Sequence, residues 1–221
     1  IVYPFLARAL ERKNKKLVCI KLDDVPEDVK SYLQVIPTYN GDITTDLFVL
    51  FEDDIKILFD HGIVILDILS VVANYVLTES HSCKRYFSAK YSSVYIDEYQ
   101  DSSEPQHVIF LKLLDLGLTG VAVGDTQQSI YAWRGSNPEF IEELTQKPGV
   151  FEHHIVNINH RCHPSITNYS NRLYDEACDL LPAKKTRVFR KSYTGTRVDV
   201  VGKINNSINK RNNFITLNKG E

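Results

Sequence analysis

The chain has 221 residues, a net charge of −2 at pH 7, 43% hydrophobic and 24% charged residues, a composition that can bury a core. This length suits one large domain, or one domain and part of another. No apolar run approaches the roughly 20 residues of a membrane-spanning helix, and no basic, apolar, small-residue leader opens the chain, so no membrane association is expected. Cys19, Cys83, Cys162 and Cys178 lie far apart without a CxxC pair, which favours reduced thiols and a cytoplasmic setting over a secreted two-bridge framework. Methionine is absent, initiator included, so the chain is expected to begin inside a longer gene product or to lack some of its residues.

In chain order, residues 5–15 read as a short helix with a basic end, and 17–22 (Leu-Val-Cys-Ile-Lys-Leu) as a strand. Pro26, Pro37 and Asn40-Gly41 mark turns, and a second apolar run covers 47–51. Residues 63–77 read as an apolar helix, and 80–90 as a polar, basic stretch. Val94-Tyr95-Ile96 forms a short strand. Residues 103–116 form an amphipathic helix with Pro105 in its first turn and Val108, Leu111, Leu114 and Leu116 facing a sheet. Gly117 and Gly120 break that helix before a strand at 121–123. A strand–helix–strand unit of this length predicts parallel pairing with a right-handed crossover. Further strands are expected at 155–158 and within a β-rich segment over 186–204, with a helix over 165–181 between them and an asparagine-rich loop at 205–213. Charge is uneven: residues 23–60 hold ten acids and two lysines, whereas 184–211 hold nine basic residues and one acid. The basic end suits either a phosphate contact or a solvated face.

Two apolar runs stop at acids. Val94-Tyr95-Ile96 delivers Asp97-Glu98, with Asp101 close behind, and Val121-Ala122-Val123-Gly124 delivers Asp125. Parallel sheets place ligands at the carboxyl ends of their strands, so this pattern suits a divalent cation on a nucleoside triphosphate. Asp97 and Glu98, as neighbours, would point in different directions and could divide the work of metal binding and water activation. The alternative is an ordinary acidic loop after a strand. Gln128 is a neutral hydrogen-bonder suited to sensing a γ-phosphate, and Tyr131, Trp133 and Arg134 crowd two aromatic faces and a guanidinium into four residues. Such a group can hold single-stranded nucleic acid by stacking. Equally, Trp133, the only tryptophan, could be a core anchor with Arg134 as its surface partner.

Together these segments resemble the UvrD/Rep-type helicases of superfamily 1. Ile96-Asp97-Glu98-Tyr99-Gln100-Asp101 is similar to that family's DEYQD form of the Walker B motif. The run Gly124-Asp125-Thr126-Gln127-Gln128-Ser129-Ile130-Tyr131-Ala132-Trp133-Arg134-Gly135 resembles its third motif, GDxxQSIYxxRG. Asn159-His160-Arg161-Cys162 falls where the family carries NYRS, with His160 in place of tyrosine and Cys162 in place of serine. The resemblance spans about residues 62–181. It implies an α/β fold of P-loop NTPase type, with a first RecA-like lobe over residues 1–152 and the start of a second over 153–221. It further implies Asp97 as the Mg2+ carboxylate, Glu98 as catalytic base, Gln128 as the link between γ-phosphate and DNA, and Arg161 as an arginine finger. ATP would bind through Asp97, Glu98, Gln128 and Arg161, and single-stranded or partly duplex DNA through Tyr131, Trp133 and Arg134. The implied activity is DNA-stimulated ATP hydrolysis driving 3′ to 5′ movement along single-stranded DNA.

The chain contains no GxxxxGK followed by Ser or Thr, nor the family's fifth and sixth motifs. Without that loop no backbone cradle holds the β- and γ-phosphates, so this chain alone is expected to turn over little ATP. Two other functions stay open: a helicase-like DNA-binding or regulatory module, and the motor part of an ATP-dependent nuclease. His153, His154, His160, Cys162 and His163 raise the possibility of zinc, but no separated pair has the spacing of a finger.

Overall fold

The computed structural model describes residues 2–11, 15–147, 150–183, 194–196 and 198–203. In order, the elements are α1 (Val2–Glu11), β1 (Val18–Ile20), α2 (Glu27–Lys30), α3 (Leu47–Leu50), α4 (Glu52–Asp60) and β2 (Ile63–Ile65). There follow α5 (Leu69–Glu79), α6 (His81–Lys90), β3 (Ser93–Ile96), α7 (Glu104–Asp115), β4 (Thr119–Ala122), α8 (Glu139–Thr145) and α9 (Pro164–Tyr174). The chain divides into two compact units, Ile1–His153 and His154–Glu221. No helix among the described residues is long and apolar enough to cross a membrane.

The first unit is α/β, with two separate two-stranded parallel sheets, β1–β2 and β3–β4. Val18, Cys19 and Ile20 align with Ile63, Val64 and Ile65. The expected helix over 63–77 is therefore corrected at its start. Ile63-Val64-Ile65 is β-branched throughout, favours a pleated strand, and finds a partner in β1. A turn at Leu66–Ile68 then leads into α5, and all three β2 side chains are buried. Gly62 makes this entry possible: its φ is +77°, and a Cβ there would lie 2.4 Å from the Lys16 carbonyl oxygen. Within the apolar run at 47–51, Leu47–Leu50 forms the short helix α3.

Around Ile65 of β2 a large core gathers Leu47 of α3, Phe51, Leu58 of α4, Val71 and Leu77 of α5, and Cys83 of α6. One buried carboxylate organises its rim. Asp54 accepts backbone N–H bonds from Gln34 (2.9 Å), Val35 (2.8 Å) and Ile36 (2.8 Å), which holds the 33–38 turn against α4.

The second sheet forms as the sequence indicates. β3 and β4 run parallel with Ser93 opposite Thr119 and Ile96 opposite Ala122, joined through α7. Helix α7 starts at a reciprocal capping box between Ser103 and Gln106, with Pro105 in its first turn. Its most deeply buried face carries His107, Phe110 and Leu113, while the expected Leu111 and Leu114 pack half-buried against the second core and Leu116 against the first. Phe110 and Tyr99 centre a second core with Leu144 of α8. Gly120 lets β4 approach that core, since a Cβ there would meet Leu114 Cδ2 at 2.4 Å and Phe110 Cζ at 2.8 Å.

The second unit departs from expectation in three places. Ile155-Val156-Asn157-Ile158 is not a strand, and Val156 is 89% exposed. A strand needs a ladder partner, and the described residues of this unit offer none. Helix α9 begins at Pro164 behind His163, whose ring accepts the Ser165 N–H, and ends at Tyr174, well before 181. Asp175 stops it by turning its carboxylate to the Ala177 N–H at 2.9 Å, while Asn168 pairs twice with the Leu181 backbone at 2.8 Å. Residues 198–203, expected in a β-rich segment, are helical. Thr196 and Asp199 cap that turn reciprocally: Asp199 Oδ2 accepts from Thr196 N and Oγ1, and Asp199 N donates to Thr196 Oγ1. The remainder of the β-rich segment (186–193, Arg197 and Ile204), the asparagine-rich loop and most of the basic 184–211 stretch lie outside the described residues.

Candidate functional site

The acids expected at the strand ends stand on adjacent parallel strands. The β3–β4 ladder continues past both strands: Val123 N donates to the Ile96 carbonyl at 2.8 Å, and Tyr99 N to the Val123 carbonyl at 2.9 Å. Asp97 and Glu98 occupy the bend between those two rungs, both exposed at the carboxyl edge. Glu98 has φ 53° and ψ 42°, the one positive φ outside glycine among the described residues. Such a backbone is costly for a long side chain and persists where its surroundings hold it. Asp97 Oδ1 accepts the Glu98 N–H at 2.9 Å, fixing the bend.

Gln100 ties this turn to the next strand. It is 1% exposed; its Nε2 donates to Glu98 Oε2 at 2.7 Å, and its Oε1 accepts the Asp125 N–H at 3.0 Å. Asp125 in turn organises the turn beyond β4, accepting from Gln127 N at 3.0 Å and from Gln128 Nε2 at 2.7 Å. Glu98 and Gln128 therefore sit at opposite ends of one hydrogen-bonded chain that passes through Gln100 and Asp125. Sequence reasoning gave Gln100 no role, because a glutamine among acids reads as a surface residue.

Five residues past Gln128 the aromatic group is exposed. Trp133 is 73% exposed, which sets aside its reading as a core anchor. The Arg134 guanidinium lies 4.5 Å from the Trp133 ring centroid and 5.5 Å from that of Tyr131. Gly135 closes this turn with φ +78° and nothing within 4 Å of a Cβ, so here glycine serves the backbone conformation.

Below the acids, Tyr99, His107 and Glu143 form a second polar chain. The Tyr99 hydroxyl and His107 Nδ1 are 2.8 Å apart, His107 Nε2 lies 3.2 Å from Glu143 Oε2, and the imidazole stacks on Phe140. A neutral ring with its proton on Nε2 satisfies both partners: it accepts from Tyr99 and donates to Glu143. Consistently, burial lowers the His107 pKa below its usual range, against the opposing pull of Glu143. Burial, and then Glu143, push the Tyr99 hydroxyl well above the phenol range. Tyr99 is thus a neutral donor that anchors the turn carrying Glu98.

Arg161 belongs to the second unit. It is exposed, in a turn where Asn159 Oδ1 accepts the N–H groups of Arg161 at 3.0 Å and Cys162 at 2.9 Å. The histidine cluster is not drawn together: among the described residues no group of three or more His, Cys, Asp or Glu side chains is placed to hold a metal. His163 instead caps α9.

A sequence model of the UvrD/REP helicase N-terminal domain matches residues 8–149, more than half of the chain. The chain belongs to the UvrD/Rep helicase family. It is 38% identical over 110 residues to Gabija protein GajB of Bacillus cereus (strain VD045), covering 49% of this chain and 22% of that protein. It is 31% identical over 96 residues to the ATP-dependent DNA helicase Rep of Buchnera aphidicola, covering 43% of this chain and 15% of that protein. It is 29% identical over 108 residues to an ATP-dependent helicase/nuclease subunit of Streptococcus agalactiae, covering 47% and 9% respectively. The chain thus spans less than a quarter of the length of these relatives.

Proposed function

We propose that this chain forms part of the motor of an ATP-dependent DNA helicase or translocase, with residues 1–152 in a first RecA-like lobe and 153–221 opening a second. The observation that carries the reading is the short hydrogen-bonded path from Glu98 to Gln128, followed in the next turn by the exposed Trp133 and Arg134. A hydrolytic group and a base-stacking surface on two turns joined by hydrogen bonds are what coupling of ATP turnover to strand movement requires.

In this reading Glu98 accepts the proton of the attacking water. One carboxylate oxygen is held by Gln100, which leaves Oε1 for that proton. Gln128, with its Nε2 on Asp125, has its carbonyl oxygen free to orient the water. Arg161 would neutralise charge on the transferring phosphoryl group. The donor set fits magnesium: Asp97 is an exposed hard carboxylate without a surrounding protein cage, and magnesium takes one or two carboxylates and keeps phosphate oxygens and waters. When bound with ATP, magnesium would supply charge neutralisation on the phosphates, and Asp97 would hold it. Tyr131 and Trp133 would stack on bases of single-stranded or partly duplex DNA, with Arg134 facing the backbone.

The similarity to a helicase/nuclease protein favours a second reading, in which the same motor serves an ATP-dependent nuclease. Both readings predict that E98Q in the full-length protein retains ATP binding and loses DNA-stimulated hydrolysis by at least about a hundredfold, within the usual range for a general base. Hydrolysis at the wild-type rate would overturn both. DNA cleavage that requires ATP would select the second.

A further inference from the structure

We propose that Gln100 is the positioning residue for Glu98, and that through it the DNA-facing Asp125–Arg134 segment sets the geometry of the hydrolytic carboxylate. This rests on the motor reading above and deepens it.

The β3–β4 ladder explains why a side chain takes this place. After the rungs from Val123 N to Ile96 O and from Tyr99 N to Val123 O, the next N–H on the β4 side is that of Asp125. No backbone carbonyl receives it; Gln100 Oε1 does, at 3.0 Å. That contact fixes the amide, since an N–H can only donate and a carboxylate can only accept. Nε2 must therefore face Glu98, where it lies 2.7 Å from Oε2. The space is cut to fit. A Cβ on Gly124 would come within 2.6 Å of Gln100 Oε1 and 3.1 Å of its backbone N, although Gly124 has no left-handed φ to explain the glycine. The Ser129 hydroxyl, beside Gln128, adds a contact of 3.4 Å to the Gln100 carbonyl. A glutamate here would still serve Asp125 but repel Glu98; a leucine would serve neither. Only an amide of this length joins both ends, and it braces a glutamate whose own backbone is strained.

The test is ATP hydrolysis by the full-length protein, with and without single-stranded DNA, for wild type, E98Q, Q100L and Q100E. Q100L is expected to lower kcat by about tenfold or more while KM for ATP stays within about twofold, because positioning acts on the transition state and not on ATP binding. Stimulation by DNA should fall with it. In Q100E a carboxylate replaces the donor amide that faces Glu98 while its oxygen can still accept the Asp125 N–H, so kcat is expected to fall at least as far as in Q100L, with KM for ATP again within about twofold. Should Q100L fail to fold, Q100E, which keeps the contact to Asp125, decides. Wild-type kcat in Q100L or in Q100E would overturn the positioning role while leaving Glu98 as base. Full hydrolysis in E98Q would overturn both.

Discussion

The two small parallel sheets end alike and are built for different work. β1 runs into Asp23 and Asp24 as β3 runs into Asp97 and Glu98, so each strand delivers two exposed adjacent acids into a tight turn. At β1 no side-chain hydrogen bond caps that turn, and its neighbour β2 is buried along its whole length, leading into a core helix. At β3 Glu98 is held by Gln100, which also accepts the Asp125 N–H of a second acid-tipped strand, β4, whose turn continues to an exposed aromatic and arginine group. Carboxylates at a strand end are therefore not a site by themselves. The candidate site differs in having a neighbouring strand that ends in matching chemistry and a buried group that joins the two.

The comparison predicts that damage to the two sheets reads out differently. The largest stability effect should come from I65A in β2, where a fully buried side chain leaves a cavity; denaturant unfolding should show a loss of about 2–5 kcal/mol. Trp133 should behave in the opposite way. Because it is exposed, W133A should leave the unfolding midpoint nearly unchanged and weaken single-stranded DNA binding by about 1–3 kcal/mol, measured by fluorescence titration. A matched loss of stability would mean that Trp133 packs against the protein after all.

The smallest effect should be a pH slope beneath the β3 turn. His107 is buried and its pKa is depressed below 6.5, so the folded state prefers the neutral ring and the unfolded state takes up protons first. Its contribution to stability is present above about pH 6.5 and lost as pH falls through the folded value. H107Q, which does not titrate, should flatten the fall in stability on that acid side. An unchanged slope would place the titration elsewhere.

Much of the second sheet was legible because its signals are local and redundant. Pro105, the Ser103–Gln106 box and the glycines after α7 bracket a helix between two apolar runs, and each agrees with the others. The start of β2 was not legible, since Ile63-Val64-Ile65 flows into an apolar helix with no breaking residue, and only its pairing with β1 shows it to be a strand. Ile155-Val156-Asn157-Ile158 has strand composition without a strand partner, which composition cannot report. The Thr196–Asp199 capping pair was visible as T-x-x-D and outweighed the alternation around it. At the site, the acids, Gln128 and the aromatic group could be read from motif chemistry. Trp133 could not be assigned to core or surface, because a lone tryptophan suits either. Gln100 was hidden for the reverse reason: a buried polar side chain is justified by its partners, and those lie 25 residues away in the case of Asp125.

The most direct test sets the two acid-tipped strands against each other. DNA-stimulated ATP hydrolysis by the full-length protein should fall at least about a hundredfold in E98Q and stay within about twofold of wild type in D24N, since in the proposed motor only Glu98 acts as general base. Equal losses in the two variants, or an E98Q protein that hydrolyses ATP at the wild-type rate, would contradict the assignment of the chemistry to the β3–β4 edge.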